Sequence, residues 1–465
     1  MRRREFIATT GLAMAGSVLS HPAMALTRKR NKRRIALVGT GIRGVTFWGK
    51  KLHQEYGDVI EFVGLSDINP GRLSYALQYI GINCPTFVNF DEMMMATRPD
   101  LLIVTTVDST HHQFIIKGLE YGVDVLTEKP LTTDEVKCQE ILNAERRTGK
   151  KVIVGFNYRY GTLPTRIKEL LTANEVGKIT SVDFHWYLNT YHGASYFRRW
   201  HGLREMGGTL LVHKATHHFD LLNWLLNSEP EEVHAYGSLE HYGSNNPFRG
   251  VNCRNCAYTD KCKFYWDITK DQRMMDLYVK NEQYDGYIRD NCLWRHEIDI
   301  YDKMAVQIKY ANNVQVSYSL ATYAPYEGWR IAFNGMNGRL ESWLDIPWLS
   351  QGTIRQSGLH AAEMEQSLPE ALEDQHDIVV MKNWHDYKVY KVNKTRAGHG
   401  GGDKRLQDRI FRDPDMPDPL HHAAGTRDGA MSILVGIAAR KSIEEKRVVR
   451  IEELTDLIPR PVKNS

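Results

Sequence analysis

Charge of one sign, long apolar runs, repeats and cysteine are all scarce in this chain. Over 465 residues, 60 Lys and Arg face 56 Asp and Glu, a formal charge of +4. So small an excess builds no field suited to nucleic acid, and a small-molecule partner is expected instead. There is no internal repeat and no low-complexity tract, and 42% hydrophobic with 25% charged residues is ordinary globular composition. That balance argues against disorder, collagen or a coiled coil. The length implies two or three domains, each able to bury a core, and excludes a single small module. The six cysteines begin only at Cys84, too late for a lipoprotein anchor.

The N-terminus has a pattern of its own. Arg2-Arg3-Arg4 precede Glu5-Phe6-Ile7, a small apolar stretch to Leu19, and Ala23-Met24-Ala25, an A-x-A cleavage site. The apolar stretch is too short to span a bilayer. Residues 1–25 resemble a twin-arginine signal, the type that exports proteins already folded. Residues 26–33 are then a basic linker. Cleavage after Ala25 would remove three Arg and one Glu, leaving a charge of +2. The mature chain is expected in the periplasm or otherwise outside the cytoplasm, with no stable membrane span.

From residue 34 to about 156, apolar runs of strand length (RIALV, VIEFVGL, DLLIVTT, VDVLTEK, KKVIVGF) alternate with segments of helical periodicity. This βαβ series predicts an N-terminal doubly wound parallel sheet, a Rossmann domain. Residues 157–465 change pattern. An amphipathic helix over Thr165–Thr172, a strand ITSVDFHWYLN and a helix near Thr216–Leu226 precede alternating runs joined by Asn-rich turns, MAVQIKYANNVQVSYSLATY and WRIAFNGMNGRLESW. The second part is therefore α+β with antiparallel strands, and stretches 240–254 and 397–419 are expected as loops.

Directly after RIALV stands Gly39-Thr40-Gly41-Ile42-Arg43-Gly44, a G-x-G-x-x-G opening a helix. Its glycines permit a tight turn, close approach to a pyrophosphate and close helix–strand packing, with the helix N-terminus facing the anion. The second strand ends at Asp67, 23 residues after Gly44. A carboxylate there suits the adenosine ribose hydroxyls and repels a 2′-phosphate, favouring NAD, although Arg43 or Arg72 leaves NADP open. Thr105, Thr106, Ser109 and His111 follow the fourth strand, and Glu128-Lys129-Pro130 ends the fifth. In a doubly wound sheet these strand ends line the ligand crevice, so Lys129 would lie beside the nicotinamide. Desolvated there, it could exchange a proton with a substrate hydroxyl.

These motifs, with G-F-N-Y-R at 155–159 and G-G-T-L-L-V-H-K-A-T-H-H-F-D at 207–220, resemble in order those of the Gfo/Idh/MocA oxidoreductases. The resemblance implies a Rossmann domain followed by an α+β domain with a large open, mostly antiparallel sheet that covers the nicotinamide. It implies an oligomer acting on sugars, inositols or their derivatives by NAD(P)-dependent hydride transfer. Lys129 matches the family's catalytic lysine and His217 the histidine of its H-x-x-D motif. Asn157 and Arg159 go with the cofactor. Tyr158, Trp200, His201 and Asp220 are candidate substrate contacts. One position departs: His213 stands where aspartate is usual, which reopens the question of what orients the base. If the segment were helical throughout, His213, His217 and Asp220 would share one face.

Four cysteines cluster as Cys253-x2-Cys256-x5-Cys262, with Cys292 further on, inside an insertion near residues 240–295. A structural zinc is expected, with two disulfides or free thiols as alternatives. The leading expectation is thus an exported oxidoreductase acting on a sugar or glycoside hydroxyl. Because free NAD is scarce outside the cytoplasm, the cofactor should be tightly held. The alternatives are a redox-neutral, NAD-dependent glycoside hydrolase, an exchange of oxidation state between two sugars, and a non-catalytic sugar-binding protein loaded with cofactor. The motif Gly398-His399-Gly400-Gly401-Gly402-Asp403 is either a loop over the site or an ordinary glycine loop.

Overall fold

A computed structural model describes residues 32–345, 375–395 and 398–463 of the protein. The expected signal, residues 1–25, and all but the last two residues of the basic linker lie outside them. The N-terminal apolar runs form six strands: β1 (Arg33–Val38), β2 (Ile60–Ser66), β3 (Thr86–Phe87), β4 (Leu101–Val104), β5 (Asp124–Thr127) and β6 (Val152–Val154). All pair in parallel. β4 is buried at every position, as a strand covered on both faces must be. Helices fill the connections and carry the expected caps. In Pro70–Ile80, the Asn69 side chain accepts from Arg72 N–H, proline sits in the first turn, and Gly81 closes the end in the left-handed region. This helix and Phe90–Thr97 lie outside the helical segments expected from periodicity.

The strand order is β3-β2-β1-β4-β5-β6. Its direction reverses between β1 and β4, and the crevice of a doubly wound sheet opens at the carboxyl ends beside that reversal. The glycine turn leaves β1 there, and the segments after β4 and β5 end there too.

The second sheet has nine strands, ordered β14-β13-β12-β11-β7-β10-β9-β8-β15. They are β7 (Ile179–Asn189), β8 (Pro230–Ser238), β9 (Lys303–Tyr310), β10 (Gln315–Ala324), β11 (Gly328–Gly335), β12 (Gly338–Leu344), β13 (Gln375–Lys382), β14 (Tyr387–Asn393) and β15 (Val449–Arg450). Only β7 and β10 pair in parallel; the other pairings are antiparallel. Burial alternates along β9 and β10, the signature of strands with one face in the core. The buried helix Thr426–Glu445 packs on β8 and on the helix Ala215–Leu226. It packs also on the short helix Leu210–His213, where Gly436 permits the close approach: a Cβ there would sit 2.3 Å from Leu211 O. The short helix Leu210–His213 is thereby drawn in, which fixes His213 at the edge of the crevice. The expected loop at 397–419 is partly helical, over Gly402–Gln407.

Candidate active site

One cavity of about 890 Å³ runs from the glycine turn to the helices and loops that carry Tyr196, His201, His213 and His217. At its nucleotide end the turn is sterically enforced. Gly39 has φ +92°, and a Cβ on it would meet the Thr105 carbonyl carbon at 2.6 Å. Asp67, at the end of β2, accepts at Oδ2 from Thr40 N–H (2.7 Å) and Thr40 Oγ1–H (3.0 Å) and at Oδ1 from Asn69 N–H (2.9 Å). Arg72 binds Asp67 at 2.9 Å and Asp285 at 2.5 Å, so the cation that left NADP open is already matched by two carboxylates. Arg43 is committed as well: its Nε donates to Glu128 Oε1 at 2.6 Å, and its guanidinium lies 3.7 Å from the centre of the Phe47 ring. Burial opposes ionisation of Glu128, but Arg43, Lys129 and the Trp48 indole N–H outweigh it and hold the carboxyl below its usual range. A tight glycine turn, a ribose-facing carboxylate and no unmatched cation beside it fit a dinucleotide without a 2′-phosphate.

Lys129 occupies the centre. Its Nζ donates to His213 O at 3.2 Å and stands 3.4 Å from His213 Nε2. Burial lowers its pKa to about 8, with Asp108 and Glu128 opposing the shift. On the far side of the imidazole, His213 Nδ1 lies 2.5 Å from Asp108 Oδ2. Burial raises the pKa of Asp108 and lowers that of His213, so the imidazole is neutral at pH 7. Asp108–His213–Lys129 is therefore a continuous relay, and it answers what orients the base where aspartate is usual.

Around this relay stand His217, Tyr158, Trp200 and His201. The His217 ring lies 4.6 Å from that of Tyr158, and its Nδ1 is buried with no hydrogen-bond partner among the described residues. His201 stacks on Trp200 at 3.5 Å and lies 4.1 Å from the His213 ring. Burial holds His201 and His217 well below the ordinary histidine range, so both are neutral at pH 7. His399, from the late glycine motif, lines the same cavity, 5.0 Å from Tyr158, and binds Asp403 at 3.0 Å. Beside His213, whose ring lies 5.3 Å from that of Tyr196, runs a second hydrogen-bond series: Glu327 Oε1 is 3.0 Å from His192 Nδ1, and His192 Nε2 is 3.2 Å from Tyr196 Oη.

Most of the sequence-predicted residues meet in this cavity. Gly39, Gly41, Ile42, Arg43, Asp67, Thr105, Thr106, His111, Glu128, Lys129, Asn157, Tyr158, Trp200, His201, His213 and His217 line it. Thr40, Gly44, Ser109 and Pro130 are not among the lining residues, and the Pro130 carbonyl is held by His111 Nδ1 at 2.8 Å. Arg159 and Asp220 are elsewhere. The segment is divided at Lys214 into the helices Leu210–His213 and Ala215–Leu226, and Asp220 does not line the cavity that His213 and His217 line. Asp220 instead takes Arg159 in a bidentate pair at 2.5 and 2.7 Å, both side chains 1% exposed, with Asp428 at 2.9 Å as a second partner.

The zinc expectation is corrected too. Cys253, Cys256, Cys262 and Cys292 do line one small cavity, and none is in a disulfide. Among the described residues, however, no group of three or more His, Cys, Asp or Glu side chains is arranged to hold a metal ion. Arg198 Nη1 donates to Cys253 Sγ at 2.7 Å, and Gly250 N–H lies 3.5 Å from Cys292 Sγ, so the thiols are ordered by protein donors. The sequence reading also gave no role to Asp108, His192, Tyr196, Arg199 or Tyr278. Asp108 directly precedes Ser109 in the segment after β4; the others carry no local signal.

Comparison with known proteins agrees with this architecture. The family described as "Oxidoreductase family, NAD-binding Rossmann fold" matches residues 33–156, and "Oxidoreductase family, C-terminal alpha/beta domain" matches residues 168–451. YteT of Bacillus subtilis is 35% identical, over 91% of this chain and 98% of that protein. An inositol 2-dehydrogenase/D-chiro-inositol 3-dehydrogenase of Lactiplantibacillus plantarum is 23% identical over 50% of this chain and 67% of its own length. Among solved structures, the WlbA dehydrogenase of Bordetella pertussis in complex with NADH and UDP-GlcNAcA shares the fold. Its TM-score is 0.58 at 18% identity, with 90% of this chain and 98% of that one covered. The Rossmann domain and the second domain thus both match one family, and the chain is a member of the Gfo/Idh/MocA family of NAD-binding oxidoreductases.

Proposed function

We propose that this protein oxidises a hydroxyl of a sugar or glycoside, outside the cytoplasm, using an NAD that stays bound between turnovers. The observation that carries the reading is Lys129. It is a buried amine with pKa about 8 at the end of β5, backed by His213 and Asp108 and opening on a cavity walled by aromatic rings. NAD supplies the acceptor for the two electrons leaving the substrate carbon. Neutral Lys129 Nζ takes the hydroxyl proton, and His213 fixes the amine from behind. Trp200 and Tyr158 offer ring faces to an apolar sugar face, and His217, neutral, offers a ring nitrogen to a neighbouring hydroxyl. The inositol dehydrogenase relative and the UDP-GlcNAcA-bound fold neighbour both handle polyhydroxylated rings, which supports the carbohydrate class. The N-terminal signal pattern supports export and, with it, a retained cofactor. The test is absorbance at the reduced-nicotinamide band as candidate sugars are added to purified protein. A rise with a sugar or glycoside is expected, and no rise across a broad panel would sink the reading.

The redox-neutral alternative is favoured by one observation, the second relay Glu327–His192–Tyr196. A ketone beside a C–H acidifies it. A base removes that proton, the glycosidic oxygen leaves with a proton from Tyr196, water adds, and the ketone is reduced again. Incubation with glycosides in D2O separates the two readings: cleavage puts deuterium beside the oxidised carbon and frees aglycone, whereas plain oxidation gives a ketosugar alone.

A further inference from the structure

The insertion that carries the cysteines also reaches the nucleotide end of the cavity. Ile42 N–H, which the glycine turn aims at an anion, donates to Tyr278 Oη at 2.9 Å. The same hydroxyl is the only atom within 4 Å of a Cβ built on Gly41, at 3.6 Å. Beside it, Asn69 Nδ2 donates to Asn281 O at 2.9 Å and Arg72 pairs with Asp285 at 2.5 Å. The chain around residues 278–285 is therefore pinned across the adenosine side of the crevice.

Lining or adjoining the same cavity are two guanidinium groups with no salt-bridge partner among the described residues. Arg289 is 5% exposed, and its Nε and Nη1 are buried with no hydrogen-bond partner among the described residues. Its guanidinium lies 6.0 Å from the Tyr278 ring and 5.2 Å from Trp266. Arg199 lines the cavity, and only the Ser195 carbonyl accepts from its Nε. Burial and the charge of Arg289 together weaken its protonated form. A buried guanidinium with unpartnered donors, facing a second, half-buried one, is costly unless an anion joins them. The donor set, two guanidinium groups and the phenol that now takes the Ile42 N–H, suits the oxygens of a diphosphate.

We propose that Tyr278, Arg289 and Arg199 form a second wall of the pyrophosphate site, closing on the dinucleotide from the side opposite the glycine turn and retaining it through successive turnovers. The proposal rests on the NAD reading above and adds to it the residues that hold the cofactor in place.

The test measures cofactor, not turnover. NAD per chain is determined in full-length purified protein after denaturation, and exchange against isotopically labelled NAD is followed by mass spectrometry. Wild-type protein should carry NAD through gel filtration and exchange slowly. R289Q and R199Q should lose it and exchange about tenfold faster or more, the scale of one charge-assisted hydrogen bond. Y278F, the mildest change, should show a smaller acceleration with an unaltered circular dichroism spectrum. Wild-type exchange rates in all three variants would overturn the proposal. So would unchanged exchange in R199Q and R289Q accompanied by a raised KM confined to sugars bearing a carboxylate, which would assign the arginines to substrate. A wild-type protein that binds added NAD but exchanges it rapidly overturns retention alone, and one that binds no NAD overturns the underlying reading.

Discussion

Two buried charged clusters sit close together in the chain and differ in every way that matters. Arg159, Asp220 and Asp428 are mutually satisfied: the guanidinium is held by two carboxylates within 2.9 Å, and two of the three side chains are 1% exposed. Lys129, His213 and Asp108 are strung in a line, and the amine at its end opens on a large cavity with a pKa moved to about 8. Burial acts on both clusters. In the first, ion pairing overcomes it and Arg159 is held more firmly charged than usual. In the second it wins, and the lysine is poised to give up its proton near neutral pH. A saturated cluster stabilises the fold, and an unsaturated one can do chemistry.

Three substitutions would break or sharpen that contrast. Lys129→Ala should lower turnover by about 10²–10⁴-fold, the range for a positioned acid–base group, while NAD content and melting temperature stay near wild type. Steady-state rates with a reactive sugar check this, and unchanged turnover would remove Lys129 from the mechanism. Arg159→Met should do the reverse, leaving Asp220 buried without its partner at a cost of about 3–5 kcal/mol in stability. Chemical denaturation reads it, and a loss below about 1 kcal/mol would deny the cluster its structural role.

The smallest effect concerns pH. Wild-type activity should rise as Lys129 loses its proton, with a midpoint near 8, because only the neutral amine accepts a proton. Asp108 favours the charged form of Lys129, so Asp108→Asn should move that midpoint downward and reduce the rate about tenfold through a misoriented His213. An upward shift would contradict the relay.

Legibility followed the same division. Gly39, Asp67 and Lys129 were readable because a strand end, a tight turn and the next strand fix their positions within a few residues of sequence. β3 was not, since two residues carry no periodicity. Periodicity placed β7, β9 and β10 closely, whereas the resemblance offered Asp220 to the substrate and could not show that Arg159 holds it as an ion pair. The cysteine spacing suggested a metal site, but spacing along the chain does not set the distances between thiols. Tyr278 stands 236 positions from Ile42, and no local pattern links them.

What the sequence determined by itself is the sheet that binds the nucleotide and the lysine beside it, because both follow from short-range periodicity and backbone sterics. Tertiary structure alone decided the partners of that lysine, the second relay through Tyr196, and the strap of the insertion across the glycine turn. These depend on how distant segments meet, and desolvation and charge pairing, which give the groups their chemistry, exist only once they have met.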